Sequence, residues 1–396
     1  MPTKIAVVGL GYVGLPLAIA AAESGFLVNG IDINSVKVDF IKSGKSPVED
    51  ISDFQIQRVI GTKLLVSQDF SQISDSNIVI ICVPTPLDSE RKPNLSFVKE
   101  AATSLARHLT KSTLVILEST VQPGTTRSLL APLISQHSKL KPEDFEVAYS
   151  PERIDPANKT WNLQNTPKIV AGLSAKGTIL AKDFYSRFVD HVIVCESPEV
   201  AELAKLLENS FRYVNISFIN EFSLFCRKMG VDIEQVIRLA SSKPYGFMPF
   251  YPGVGVGGHC IPIDPVYLSE KAIELGTQIR FIELADEINL SMPFSFIKIA
   301  SEQVGGLSGK SVMVVGVSYK PNVSDVRETP VETLVEGLKK HGASVSWHDD
   351  LVKEWKGEKS TPLSDNYDLA IIATPHDYLD LTKLGNIPII NTRGSV

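Results

Sequence analysis

From Lys4 to Tyr149 the chain alternates short, almost wholly apolar runs with segments whose apolar residues recur every three or four positions. Lys4–Gly9 reads as a buried strand ending in glycine, and a helix follows to about Ser24. Leu27–Asp32, Ile78–Val83, Leu114–Leu117 and Glu146–Tyr149 read as further strands, with helices between them over Asn94–Leu109 and Thr125–His137. Strands this apolar, alternating with helices, predict a parallel sheet covered on both faces.

The pattern changes after Val194. Pro198–Met229 predicts one long helix, Val231–Ser241 and Ile263–Leu275 shorter ones, and Arg280–Ser301 another long one, interrupted or entered anew near Pro293. The Gly- and Pro-rich loop Ser242–Asp264 divides this nearly strand-free block. Gly309–Val317 opens a second alternating region, with strands at Ser344–His348, Leu369–Ala373 and Pro388–Asn391 and a helix over Pro330–His341. The expected class is α/β. A Rossmann-like domain takes residues 1–195, a helical region with the long helix takes 196–303, and a smaller Rossmann-like domain takes 304–396.

With 396 residues, 43% apolar and 21% charged, the composition is that of a soluble globular protein with ample core. A net charge of −6 argues against a nucleic-acid or membrane-surface binder, so an anionic ligand would need local cations or helix N-termini. No apolar run is long enough to span a bilayer, and Met1 leads directly into a strand without a signal peptide. Cys82, Cys195, Cys226 and Cys260 are scattered, which fits a reducing cytoplasm rather than a disulfide framework, and no metal site is expected.

Gly9-Leu10-Gly11-Tyr12-Val13-Gly14 matches G-x-G-x-x-G between a strand and a helix. The glycines permit a tight turn, close approach to a pyrophosphate and close helix–strand packing. Asp32, ending the next strand, can accept from an adenosine ribose hydroxyl and would repel a 2′-phosphate, which favours NAD over NADP. FAD shares the fingerprint, and the alternative is a glycine turn that serves packing alone. Thr85 and Thr120 end later strands on the same expected edge, where they either touch the cofactor or reacting group or simply cap the following segment.

Cys260 lies in Gly257-Gly258-His259-Cys260-Ile261-Pro262-Ile263-Asp264-Pro265, after a run with four glycines in six residues (253–258). Such a run makes poor core but good close-approach backbone. A thiol near a nicotinamide suggests oxidation through a thioester; the competing reading is an inert buried cysteine. His259 is either a participant or a polar loop residue. Lys205 and Asn209, at i and i+4 of the long helix, share a face and could stabilise an oxyanion, or form a solvated polar face. Asp264 and Glu152 are candidates for proton transfer; a loop carboxylate paired with Arg153 is the plain reading of Glu152.

Taken together, the glycine fingerprint, Ser119–Thr125, Ser150–Arg153, Lys205–Asn209, the Gly-Gly-His-Cys loop, and Gly316–Asn322 followed by Asp325–Glu328 resemble the UDP-glucose/GDP-mannose dehydrogenase family over nearly the whole chain. The resemblance implies two NAD-dependent oxidations at C6 of a nucleotide sugar, giving a uronic acid. Cys260 would be the nucleophile, with Lys205 and Asn209 on the oxyanions and Thr120, Glu152 and Asp264 handling water and protons. It further implies UDP-sugar contacts from Glu152, Arg153, Lys205, Asn209, Tyr251, Gly257, His259, Lys320 and Arg327. Lys320 would meet the diphosphate, and Arg327 would reach a substrate carboxylate or hydroxyl, either within its own subunit or across a subunit boundary; the long helix resembles the core of a homodimer. The loop Gly-Gly-His-Cys-Ile-Pro-x-Asp-Pro looks like the branch acting on UDP-N-acetylhexosamines, whereas UDP-glucose members usually carry Gly-Gly-Ser-Cys-Phe-Pro-Lys-Asp. Ser150–Pro156 looks like UDP-GlcNAc 6-dehydrogenases, although Ala157 replaces the usual glycine. UDP-ManNAc and then UDP-glucose are the alternative substrates. The rival readings are a single-step 3-hydroxyacid dehydrogenase and a non-catalytic nucleotide-sugar or NAD sensor.

Overall fold

The computed structural model describes residues 3–48, 51–155, 158 and 160–394. Ala157 therefore lies outside the described residues. The chain divides into two compact units, Met1–Leu207 and Glu208–Val396.

The first unit is built on an eight-stranded sheet: β1 (Lys4–Val8), β2 (Leu27–Ile31), β3 (Leu64–Ser67), β4 (Ile78–Ile81), β5 (Leu114–Leu117), β6 (Glu146–Tyr149), β7 (Lys168–Gly172) and β8 (Val192–Val194). The strand order is β3-β2-β1-β4-β5-β6-β7-β8. Alternation along β1 sends Ile5 and Val7 into one apolar cluster and Ala6 and Val8 into another. Both faces are thus covered, and the expected doubly wound sheet is present.

The strands expected from the sequence all pair parallel, but the sheet continues past them and is not parallel throughout. β6 and β7 pair antiparallel, with Ala148 opposite Gly172 and Tyr149 opposite Ala171. A parallel return needs a crossover, usually helical, but Pro151 and Pro167 flank a link whose described residues form no helix. β7 accordingly runs opposite to β6. Continued by this register, Lys168 comes opposite Glu152.

In the second unit, a four-stranded parallel sheet contains β9 (Ser311–Val315), β10 (Ser344–His348), β13 (Leu369–Ile372) and β14 (Ile389–Asn391), in the order β10-β9-β13-β14. The two-residue strands β11 (Glu354–Trp355) and β12 (Glu358–Lys359) form a separate hairpin. The long helix Pro198–Met229 is continuous, as is the helix Arg280–Val304. Pro293 does not interrupt the latter. It removes the N–H that would bond the Asn289 carbonyl, but the surrounding packing holds the helix: Met292, Pro293, Phe296 and Ile297 are all buried. Asn289 belongs to a buried polar network between the two long helices. Its Nδ2 donates to Ser217 Oγ at 2.5 Å and its Oδ1 accepts from Asn220 Nδ2 at 2.9 Å. Asn220 Oδ1 in turn accepts the Gly253 N–H at 2.9 Å, which anchors the start of the glycine-rich loop.

Candidate active site

β1, β2, β4 and β5 run parallel, so their carboxyl ends share the edge at which open α/β sheets bind ligands. Gly9 leaves β1 at φ +92°, and a Cβ there would lie 2.5 Å from the Cys82 carbonyl oxygen. A Cβ on Gly14 would lie 1.8 Å from the Gly9 carbonyl oxygen, whereas one on Gly11 would meet nothing within 4 Å. Two of the glycines therefore serve the fold, and Gly11 offers bare backbone to an incoming group. Val13 stands at the N-cap of helix Gly14–Glu23, which has no side-chain cap and no acid in its first turn. Its positive end is available to a pyrophosphate. Tyr12, in the same turn, is exposed.

Asp32 is buried and does more than the sequence suggested. Its Oδ2 accepts from the Leu10 N–H at 2.9 Å and from Lys37 Nζ at 2.8 Å, and its Oδ1 accepts from the Asn34 N–H at 2.9 Å. It ties the glycine turn to the end of β2 and still keeps acceptor capacity for a ribose hydroxyl. These residues fit NAD. Thr85 and Thr120 are both half-buried beyond β4 and β5, and Ser119 Oγ donates to the Val83 carbonyl at 2.6 Å, joining these two strand ends.

Glu152 sits just beyond β6. Its Oε1 accepts the Arg153 and Ile154 N–H groups at 2.6 and 2.7 Å, and its Oε2 lies 3.4 Å from Lys168 Nζ. Its ion pair is therefore with Lys168, while the Arg153 guanidinium donates to the Pro167 carbonyl at 2.7 Å. Lys168 also lies 3.1 Å from Glu118 Oε2, whose other oxygen accepts a very short bond from the Tyr185 hydroxyl. Burial drives the Glu118 carboxyl above its ordinary value. Burial pushes Glu152 the same way, but Lys168, the two N–H donors and Lys205 outweigh it and hold that carboxyl below the usual range. Burial likewise pushes the Cys82 thiol and the Tyr185 hydroxyl well upward, so Cys82 is the inert core residue its strand position implies.

Lys205 and Asn209 are both buried, one turn apart on the long helix. One turn before Lys205, Glu202 is fully buried. Its oxygens accept from the Gly124 N–H at 2.6 Å, the Thr126 N–H at 2.9 Å and Thr126 Oγ1 at 2.7 Å. Glu202 thereby locks the loop after Thr120 to the start of this helix.

In the second unit, Cys260 is exposed, whereas Cys82 and Cys226 are buried and Cys195 is intermediate. The Cys260 carbonyl accepts the Ile263 and Asp264 N–H groups at 3.1 and 2.9 Å, forming the turn that feeds helix Asp264–Glu274. Asp264 is buried, and its Oδ2 accepts from Asn209 Nδ2 at 2.5 Å. The structure thus joins two predicted residues that are 55 positions apart in the chain.

The glycines before Cys260 do serve close approach, and the group approached is another segment of the protein. A Cβ on Gly257 would lie 2.6 Å from the Glu328 carbonyl oxygen and 2.9 Å from Tyr319 Cβ, and one on Gly258 would lie 2.7 Å from the Tyr319 ring. Their close approach is to the 319–330 segment of the protein itself, and the Gly258 N–H donates to the Arg327 carbonyl at 3.2 Å. His259 is half-buried, and burial together with the Arg327 charge pushes its imidazole below the ordinary value. Arg327 is held by Asp325, with Nη2 2.6 Å from Oδ2. Lys320 Nζ lies 5.7 Å from the Tyr319 ring centre.

Residues 316–322 follow β9 in a turn that repeats the one after β1. Gly316 takes φ +81°, and Asp349 Oδ2 accepts the Val317 N–H at 2.9 Å, as Asp32 accepts the Leu10 N–H. Asp349 also receives His376 Nε2 at 3.0 Å, and His376 Nδ1 accepts the Asn322 N–H at 2.9 Å. Exposed Tyr251 carries the Arg393 guanidinium 5.3 Å from its ring centre.

Sequence reasoning missed Lys168, Glu118, Tyr185, Glu202, His376 and Arg393. The antiparallel return of β7 would have pointed to Lys168, but nothing local marks that return. Among the described residues, no group of three or more His, Cys, Asp or Glu side chains could hold a metal ion, and no helix is long and apolar enough to cross a membrane.

Three domain models of the UDP-glucose/GDP-mannose dehydrogenase family match the chain: the NAD binding domain over residues 3–189, the central domain over 199–291 and the UDP binding domain over 313–392. The UDP-N-acetyl-D-glucosamine 6-dehydrogenase of Salmonella typhi is 33% identical over 94% of this chain and 90% of its own length. The UDP-N-acetyl-D-mannosamine dehydrogenase of Pyrococcus horikoshii is 35% identical over 94% of this chain and 89% of its own. A solved structure of the UDP-D-ManNAc dehydrogenase from Pyrococcus horikoshii superposes with a TM-score of 0.90 at 34% identity, covering 99% of this chain and 95% of that one. A UDP-glucose dehydrogenase from Pyrobaculum islandicum gives a TM-score of 0.91 at 26% identity, covering 99% and 94%. With all three domains matched in order and the glycine turn, Asp32 and the Cys260 loop in place, this chain belongs to the UDP-glucose/GDP-mannose dehydrogenase family and is an NAD-dependent UDP-sugar dehydrogenase.

Proposed function

We propose that the enzyme oxidises C6 of a UDP-N-acetylhexosamine, UDP-GlcNAc first among them, to the uronic acid through a thioester on Cys260. The observation that carries this reading is the exposure of Cys260, in a turn leading into Asp264 and its Asn209 partner. NAD bound at the Gly9–Gly14 turn supplies the hydride acceptor for each of the two oxidations. The C6 alcohol loses a hydride and a proton to give an aldehyde, and the Cys260 sulfur adds to it as a thiohemiacetal. Loss of a second hydride and proton gives the thioester, and water then releases the acid and the free thiol.

Lys205 and Asn209 supply a cation and an amide donor for the oxyanions, while Thr120, Glu152 and Asp264 order water and move protons. Arg153, Tyr251, Gly257, His259, Lys320 and Arg327 complete the nucleotide-sugar contacts, with Lys320 on the diphosphate. Thr85 joins the glycine turn on the cofactor. The substrate preference rests on the Gly-Gly-His-Cys-Ile-Pro-x-Asp-Pro loop and on relatives named for UDP-GlcNAc and UDP-ManNAc. The test is NADH release and acid formation with UDP-GlcNAc, UDP-ManNAc and UDP-glucose. We expect two NADH per sugar, and no acid from Cys260→Ala. Wild-type acid formation by Cys260→Ala would overturn the thioester.

A homodimer through the long helix completes the proposal. Leu207, Phe211, Phe218 and Phe225 recur at helical spacing along it and are all exposed, a stripe too apolar for a surface left in water. Phe218→Lys should produce monomers in sedimentation; an unchanged dimer would place the interface elsewhere.

A further inference from the structure

The least expected feature of the first unit is a buried ionic cluster behind Glu152. The side chain of Lys168 is 4% exposed and that of Glu118 0%. Lys168 touches both carboxylates, at 3.1 Å to Glu118 and 3.4 Å to Glu152, and lies 5.2 Å from the centre of the Tyr185 ring. The groups acting on Glu152 are Lys168, Lys205, the Arg153 and Ile154 N–H donors and, through Lys168, Glu118 with its Tyr185 partner. One buried ammonium thus touches two carboxylates in a space with little water, and the Lys205 charge adds to its pull on Glu152. Buried charges are retained at such cost only when each is compensated. Buried this deeply, Lys168 cannot itself serve a sugar. What it controls is Glu152.

We propose that Lys168 is a positioning residue for Glu152: anchored from behind by Glu118, its ammonium is the counter-ion that keeps the Glu152 carboxylate ionised and in place as a proton acceptor. The proposal rests on the reading of Glu152 as a proton carrier. Its structural basis is the reversal of β7: the pairing of Ala148 with Gly172 and Tyr149 with Ala171, carried on along both segments, sets Lys168 against Glu152, where its Nζ lies 3.4 Å from Oε2. Removing the cation while leaving Glu118 would put two carboxylates together without their buried partner, and Glu152 would take up a proton at higher pH. Removing Glu118 would have the opposite sign, since a like charge is lost and the cation is then devoted to Glu152.

The test is the pH profile of kcat/KM for the UDP-sugar between pH 5 and 9 in Lys168→Met, Lys168→Arg and Glu118→Gln. Lys168→Met should move the acid limb upward by at least about one pH unit. Lys168→Arg should return it toward wild type, and Glu118→Gln should leave it at or below the wild-type position. A scaffold role alone would lower rates across the range without moving the limb in opposite directions. An unmoved limb in Lys168→Met, or an upward shift in Glu118→Gln, overturns the proposal. If Lys168→Met does not fold, the charge-balanced double variant with Glu118→Gln should still move the limb upward, by less, because the cation touching Glu152 outweighs the loss of Glu118. Glu152→Gln tests the underlying reading separately: wild-type turnover there would refute the role of Glu152 itself.

Discussion

Gly257→Ala isolates what the glycine pair before Cys260 does. The backbone at Gly257 is not in the left-handed region, so alanine there is free of conformational strain and any cost is steric. Its Cβ would lie 2.6 Å from the Glu328 carbonyl oxygen, 2.8 Å from Pro330 Cδ and 2.9 Å from Tyr319 Cβ. Ordinary contact begins at 3.4 Å, so the oxygen must retreat by 3.4 − 2.6, about 0.8 Å, or the loop must lift by as much. Two of the obstacles are backbone or ring atoms, which yield poorly. Overpacking of this kind costs about 1–3 kcal/mol. A displacement approaching 1 Å at the segment that carries Cys260 lowers turnover by on the order of a hundredfold. Gly253→Ala supplies the control: the nearest atom to its Cβ is 4.0 Å away and its backbone too avoids the left-handed region. Alanine there should be neutral or stabilising by about 0.4–1 kcal/mol through the unfolded chain. Urea denaturation and steady-state NADH formation measure both variants. Wild-type stability and turnover in Gly257→Ala, or equal damage from Gly253→Ala, would refute the reasoning.

The Gly9–Gly14 turn offers a similar contrast: Gly14→Ala, whose Cβ would sit 1.8 Å from the Gly9 oxygen, should unfold the first unit, while Gly11→Ala should fold normally and raise the KM for NAD. Thermal melts beside NAD titrations separate the two, and equal effects would contradict the division of labour among these glycines. His259 gives a pH prediction. Its imidazole is held below its ordinary value of 6.5, so below that pH the unfolded chain binds more protons than the native one. Its stabilising contribution is complete above about pH 6.5 and declines as the pH falls toward the depressed native value. His259→Gln should therefore lose less stability than wild type between pH 7.5 and 5.5 in urea denaturation, and parallel losses would show that the imidazole is not the titrating group.

The elements with strong local chemistry were legible in the sequence. β1, β4 and β5 are unbroken apolar runs, the Gly9–Gly14 turn is specified by its own sterics, and Cys260 is marked by the loop around it. The strands that escaped notice were those whose signal is weak: β3 is half exposed, β8 is a short, mostly exposed edge strand, and β7 opens with a lysine. Missing β7 meant missing the reversal that delivers Lys168 to Glu152, a contact set by strand register rather than by any motif. Pro293 misled because local propensity was overruled by burial. The meaning of the glycines before Cys260 depended on what lies across from them, Tyr319 and Glu328, and sequence spacing carries no trace of those neighbours.

The turn after β9 copies the turn after β1 with one telling change. Asp32 holds its loop with three donors, whereas Asp349 receives Val317, Ser318, Leu351 and Val352 N–H groups as well as the His376 ring. A carboxylate with five donors has no lone pair left for a sugar hydroxyl. The C-terminal copy has kept the architecture of a dinucleotide reader while its reading head is sealed. Of the two look-alike turns, only the one after β1 therefore offers a carboxylate with acceptor capacity left for an adenosine ribose.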